Sequence, residues 1–310
     1  MSPPPAAARA PGSVRELLSP KQIAAAAGVS ESTVKRLVDD GALRAERTAG
    51  GHRRIRLSDA LAWVRSRGSG SLQPEALAPA VPALKRVAGV DLSNRKAVLK
   101  RYSAALEAGD EAVTTGLAMA SFVAGAELPE VLEEPIYGRF VDLRSRCNHP
   151  SRECTTLHRA LANSIVAAGR LRDLACEGDG SSKKAKPKLG VALADVGYEV
   201  DSLPVHLAAT VAAAAGYEVT NLGARVPATV LAGTVDRLSP KYLWLSANGG
   251  EQADQAEVAA AFKTVAATCR SAGVALLVHG DAVPAPDADV YQGAETHRIE
   301  SFAELARLFG

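Results

Sequence analysis

From residue 188 to the end of this 310-residue chain, short apolar runs alternate with segments of helical spacing. KLGVALAD is followed by LPVHLAATVAAAAG, YEVTNLGA by ATVLAGTVDRL, and KYLWLSA by a long helix ending at Gly273. VALLVHG, DVYQGA and a closing helix complete the series. Alternation of this kind implies α/β architecture, a doubly wound parallel sheet with helices on both faces.

The rest of the chain is organised differently. Two stretches resist packing into regular elements: Gly68 to Pro82 (GSGSLQPEALAPAVP) and Glu177 to Pro187 (EGDGSSKKAKP). They divide the chain into an N-terminal tail (1–14), a compact unit (15–67), a linker (68–82), a middle module (83–176), a second linker (177–187) and the α/β module (188–310). The middle module shows helical apolar spacing, as in Ala97, Tyr102, Leu106 and then Val113, Leu117, Phe122, and is expected to be a helical bundle. A chain that is 47% hydrophobic can fill a core in each module. Its apolar runs fall short of the roughly 20 residues that span a bilayer, so no membrane partner is expected. The start, MSPPPAAARAPGS, lacks a continuous apolar stretch, and four cysteines in so long a chain make no disulfide framework; the expected compartment is the cytoplasm.

Charge is unevenly placed. Residues 1–70 hold twelve basic and six acidic side chains, a balance of +6, which leaves −4 for the remainder of a chain with net charge +2. A surface for a polyanion therefore belongs at the N-terminus. There, Ser19-Pro20-Lys21-Gln22 carries an N-cap, a proline at the first helical position and a glutamine placed for a capping box. A first helix to about Ala27, a turn at Gly28-Val29-Ser30 and a second helix from Glu31 to Val38 give helix-turn-helix spacing. A hairpin follows from Arg44 to Arg56, with Ala49-Gly50-Gly51 at its tip.

The run from Ser19 to Trp63, above all Arg47-Thr48-Ala49-Gly50-Gly51-His52-Arg53-Arg54-Ile55, resembles the DNA-binding domain of the MerR and excisionase-like regulators, an all-α winged helix-turn-helix. The resemblance implies double-stranded DNA as partner. It also implies that Ser32, Thr33, Lys35 and Arg36 enter the major groove while Arg47, Thr48, His52, Arg53 and Arg54 meet the backbone or minor groove.

From Arg95 onward the order of bundle and sheet resembles the cobalamin-binding sensors of the CarH and LitR group, whose sheet domain is flavodoxin-like. The family's carboxylate-x-His-x-x-Gly loop corresponds to Glu199-Val200-Asp201-Ser202-Leu203-Pro204. Ser246 occupies the family's serine after the third strand of the sheet, and His279-Gly280 stands at its paired glycines after the fourth. These five positions, Glu199, Asp201, Pro204, Ser246 and Gly280, form a degenerate cobalamin loop. Asp201 offers a hard carboxylate oxygen where cobalt takes an imidazole nitrogen, and Pro204 puts a ring where glycine lets the macrocycle approach. Glu199 is left with no histidine to orient. The expectation is against histidine-ligated cobalamin.

In the bundle the family's tryptophan followed by Glu-His aligns with Phe140 and then Leu157-His158 across an apparent insertion. Cys147, His149, Cys154 and His158 lie in or beside it. Four such donors could ligate zinc, hold haem iron axially or supply a thiol for bilin attachment, or be small buried residues and caps. His206 and His279 are weaker candidates. The functional expectation is a non-enzymatic transcriptional regulator whose C-terminal half senses a ligand or oligomerises, as a homodimer or homotetramer. The alternative is a corrinoid-binding subunit of a methyltransferase or mutase-like enzyme.

Overall fold

The structure is a computed structural model that describes residues 17–67, 72–147, 154–178, 188–197, 202–248, 254–285, 289–291 and 293–310. The N-terminal unit holds α1 (Pro20–Ala26), α2 (Glu31–Asp39) and α3 (Leu57–Ser66) against an antiparallel sheet of β1 (Leu17–Leu18), β2 (Glu46–Arg47) and β3 (Arg53–Arg56), in the order β1-β3-β2. The caps fall where the sequence puts them. Ser19 N–H donates to Gln22 Oε1 at 2.8 Å while Gln22 N–H returns to Ser19 Oγ, so the box satisfies two amides that the helix leaves open. Ser30 Oγ accepts from Thr33 N–H at 3.2 Å and starts α2. Ile23, Val34, Ile55, Leu61 and Val64 are fully buried at the centre of this unit.

The described part of the expected linker is packed. Pro74–Leu77 and Pro82–Val87 form two 3-10 turns, each opened by its proline, and Gln73 N–H donates to Ala26 O at 2.9 Å. Leu77 and Leu84 are fully buried. Composition marked this stretch as loose, but Leu77, Val81 and Leu84 recur at helical spacing and find apolar partners. Gly116 permits the approach, since a Cβ there would lie 2.6 Å from Ala83 O. Arg65, at the end of α3, crosses to the bundle and donates to Phe122 O and Ala126 O, with its guanidinium 3.8 Å from the Phe122 ring centroid.

The bundle comprises α4 (Arg95–Ala108), α5 (Glu111–Val123), α6 (Leu128–Val131), a π-helical turn at Leu132–Gly138 around Pro135, α7 (Arg139–Arg146) and α8 (Thr155–Gly178). Beyond it lie β4 (Lys188–Asp195), α9 (Leu203–Ala214), β5 (Tyr217–Asn221), α10 (Ala228–Leu238), β6 (Tyr242–Ser246), α11 (Gln255–Ala272), β7 (Ala275–His279), β8 (Thr296–Arg298) and α12 (Phe302–Phe309). The sheet is parallel, in the order β5-β4-β6-β7-β8. Alternate residues separate two cores. Val191, Leu193, Trp244 and Leu277 join α9, α12 and the bundle. Ala192, Ala194, Leu243, Leu245, Leu276 and Val278 join α10 and α11. One strand lies elsewhere than its run suggested: within DVYQGA, Asp289–Tyr291 is a 3-10 turn, and the edge strand is Thr296–Arg298. An edge strand has little burial to announce it, and this one is half-exposed.

Candidate nucleic-acid interface and sheet edge

Helix α2 turns Val34 into the core and leaves Glu31, Ser32, Lys35, Arg36 and Asp39 exposed along one side. Ser32 Oγ and Thr33 Oγ1 each lie 2.8 Å from Ser30 Oγ. Lys35 Nζ pairs with Glu31 one turn back at 2.9 Å, and Arg36 has no ion pair among the described residues. Gly51, at φ +77°, closes the hairpin with Gly51 N–H on Thr48 O at 2.8 Å, and His52 N–H reaches Thr48 Oγ1. Thr48 and His52 are exposed at this tip.

The hairpin arginines divide by partner. Arg53 forks onto Asp39, with Nη2 at 2.7 and 2.8 Å from the two carboxylate oxygens, and Arg47 approaches the same group at 3.5 Å. Arg56 pairs with Glu46 at 2.7 Å. Arg54, half-buried and opposite Glu46 in register, makes no ion pair among the described residues. Sequence spacing grouped Arg53 with Arg54 as a phosphate contact; in the structure Arg53 ties the hairpin to α2.

The carboxyl edge of the parallel sheet gathers Asp195, Gly197, Ser246, Asn248, His279 and Gly280. The chain leaves β5 on one side of β4 and re-enters at β6 on the other, so a crevice opens above β4. Asp195 is buried, with Oδ2 accepting Ser246 Oγ–H at 2.6 Å and Oδ1 accepting Gly197 N–H at 2.9 Å. These bonds compensate the burial of the carboxylate. Gly280, at φ +117°, has no room for a Cβ, which would collide with the Ala247 carbonyl. This glycine is required by the sheet's own loops. Pro204 is buried in the first turn of α9. Glu199 and Asp201 lie outside the described residues.

His279 ends β7 at the carboxyl edge of the sheet. Its ring stacks on Trp244 with centroids 5.2 Å apart, and Phe302 and Tyr137 of the bundle stand at 5.9 and 6.2 Å. Nδ1 lies 2.8 Å from Ile299 O, which assigns the proton to Nδ1. Nε2 of His279, Nε1 of Trp244 and Nδ2 of Asn248 are buried without a partner among the described residues. Such atoms suit a small polar guest such as water.

Burial lowers the His279 pKa below its ordinary value, against weaker opposing effects from Ile299 O, Glu133 and Glu300. His206, on α9, is shifted the same way by burial and Arg172. A neutral imidazole in the fold and an ordinary one in the unfolded chain make stability full above the unfolded pKa, about 6.5, and progressively lost as pH falls below it. The melting temperature should therefore drop between pH 7.5 and 5.5, and His279→Phe, though less stable overall, should show a smaller drop. Equal drops in the two proteins would remove His279 from this dependence.

Of the four insertion donors, two meet. Cys147 and Cys154 bring Sγ to Sγ at 3.2 Å across the α7–α8 corner. His158 is exposed one turn into α8, and His149 lies outside the described residues. No three His, Cys, Asp or Glu side chains among the described residues converge as a metal site. Phe140 and Leu157 are buried in the core. Asp195, Trp244 and Asn248 were missed from sequence. Only Asp195, a charge closing the apolar run VALAD, carries a local signal.

Among the described residues no helix is long and apolar enough to cross a membrane. No curated protein matches the chain. Among solved structures, the monomethylamine corrinoid protein of Methanosarcina barkeri aligns with 69% of this chain and 97% of its own, at 14% identity and a TM-score of 0.49. The methanol:cobalamin methyltransferase complex of the same organism aligns with 77% of this chain and 84% of its own, at 18% identity and 0.35. A cobalamin-binding protein of Desulfitobacterium hafniense DCB-2 aligns with 68% and 96%, at 18% and 0.35. In sequence, residues 17–68 match the family model described as a helix-turn-helix domain, and α1, the Gly28 turn and α2 lie within that match.

Proposed function

We propose that this protein is a cytoplasmic DNA-binding transcriptional regulator with no catalytic activity of its own. Helix α2 reads the major groove through Ser32, Thr33, Lys35 and Arg36, and the β2–β3 hairpin acts as a wing whose Arg54, His52 and Thr48 meet the backbone. The observation that carries this is the exposed polar side of α2, held to the hairpin by the Arg53–Asp39 fork within a family-matched helix-turn-helix. The C-terminal half serves as sensor and oligomerisation surface. Two cavities, of about 430 and 530 Å³, lie where α3 meets the bundle, so a ligand or rearrangement there would bear directly on the reader. Arg65, Val98 and Val131 line the first, and Leu57, Thr115 and Leu174 the second.

The competing reading, a corrinoid-carrying enzyme subunit, requires a cobalt donor and an open sheet edge. The sequence offers Asp201 as the donor, and His279 and Trp244 fill the edge. Binding to mixed-sequence duplex DNA tests the proposal without knowledge of an operator. Affinity should fall steeply with salt, and Arg54→Ala should lower the slope of log K against log salt by about 0.9 with an unchanged melting temperature. At saturation of a selected site, two or more chains should bind per duplex. Absence of binding at low salt overturns the proposal.

A further inference from the structure

We propose that Cys147 and Cys154 form a peroxide-responsive dithiol that closes to an intramolecular disulfide across the α7–α8 corner. Cys147 caps the end of α7, its N–H on Leu143 O and Arg144 O at 3.2 Å. Cys154 stands at the start of the 24-residue α8: its carbonyl accepts His158 N–H at 3.1 Å, and its Sγ accepts Leu157 N–H at 3.4 Å. That is the position of an N-cap, with sulfur in the role usually taken by oxygen. Open amides and the helix dipole favour negative charge there.

The two sulfurs differ in consequence. The bond between them, with the Leu157 amide added, holds the Cys154 thiol below its ordinary value, and the same bond first and burial second raise that of Cys147. Cys154 is thus the attacking sulfur and Cys147 the resolving one. Both are partly exposed, so a small oxidant reaches them. The remaining cysteines are built otherwise. Cys269 is buried and pushed up to about 12 by desolvation, and Cys176 is exposed near the far end of α8.

With hydrogen peroxide as oxidant the atoms balance in two steps. Cys154 thiolate attacks one peroxide oxygen, the O–O bond breaks, and the departing hydroxide takes a proton to leave as water, giving a sulfenic acid on Cys154. Cys147 sulfur then attacks the Cys154 sulfur, the S–O bond breaks, and the hydroxide combines with the Cys147 proton as a second water. Two thiols are oxidised and one peroxide is reduced. The sulfurs need only move from 3.2 Å to about 2.05 Å, a side-chain adjustment. The corner is already braced without the bond, by Arg146–Glu107 at 2.6 Å and by Arg159 on Ala108 O. Closure would stiffen one end of α8, the helix that packs on α3 of the reader and on α9 beneath the sheet.

The test uses the full chain, treated with stoichiometric hydrogen peroxide, alkylated and examined by mass spectrometry. The expected product is a monomer lighter by two hydrogens, with residues 147 and 154 joined, Cys176 and Cys269 alkylated after unfolding, and full reversal by dithiothreitol. In Cys147→Ser, Cys154 should accumulate as sulfenic acid and react with dimedone at least tenfold faster than Cys176. Residues 147 and 154 both still alkylated after peroxide, or equal dimedone rates at Cys154 and Cys176, would overturn the proposal.

Discussion

Trp244→Ala should destabilise the protein by about 3–5 kcal/mol, the range for removing a large aromatic side chain from a packed core. Trp244 is fully buried on the sheet face that carries α9, α12 and the bundle, and its ring supports His279. Truncation leaves a cavity beneath that imidazole and removes the surface on which it stacks. Trp244→Phe keeps most of the area and should cost well under half as much. Urea unfolding followed by far-ultraviolet circular dichroism measures both. The remaining Trp63 lies half-buried in the reader, so its fluorescence reports that unit separately. A loss under 1 kcal/mol in Trp244→Ala would contradict the packing described.

Arg36→Ala should weaken binding to a sequence selected from a random duplex pool by about 1–3 kcal/mol, roughly five- to 150-fold, with the loss concentrated at one base pair. Arg36 is exposed on the side of α2 away from Val34 and has no ion pair to relinquish among the described residues. Lys35→Ala should cost less, because Lys35 must first leave Glu31. Anisotropy titrations on the selected site and on single-base variants give both values. Equal weakening on every sequence would make Arg36 a backbone contact.

Local rules were legible in the sequence where they stood alone. The Ser19–Gln22 box, the Ser30 cap and the Gly51 turn each depend on a few neighbouring residues, and each appears where spacing places it. The parallel sheet was legible because three of its five strands, β4, β6 and β7, are built on apolar runs and alternate with helical segments. Features joining distant residues were not. Nothing near Arg53 points to Asp39, 14 positions earlier, and nothing near Trp244 points to His279. The stretch 74–82 misled for another reason. Its prolines and alanines suggest a loose chain, but proline at the first position of a 3-10 turn is favourable, and apolar side chains between prolines pack when a neighbouring surface accepts them.

That packing bears on how such a reader can be exchanged between proteins. A cassette that ends near residue 72 would carry the helix-turn-helix but leave behind Leu77, Val81 and Leu84, baring the side of α1 on which the Pro74–Leu77 turn packs. It would also strand Arg65 without the two carbonyls of α5 and its following turn. A graft therefore has to be cut after Val87 and given a receiving surface shaped like α5, with a glycine where Gly116 admits Ala83. Shuffling of this head onto unrelated bodies is thereby restricted to partners that already present such a helix.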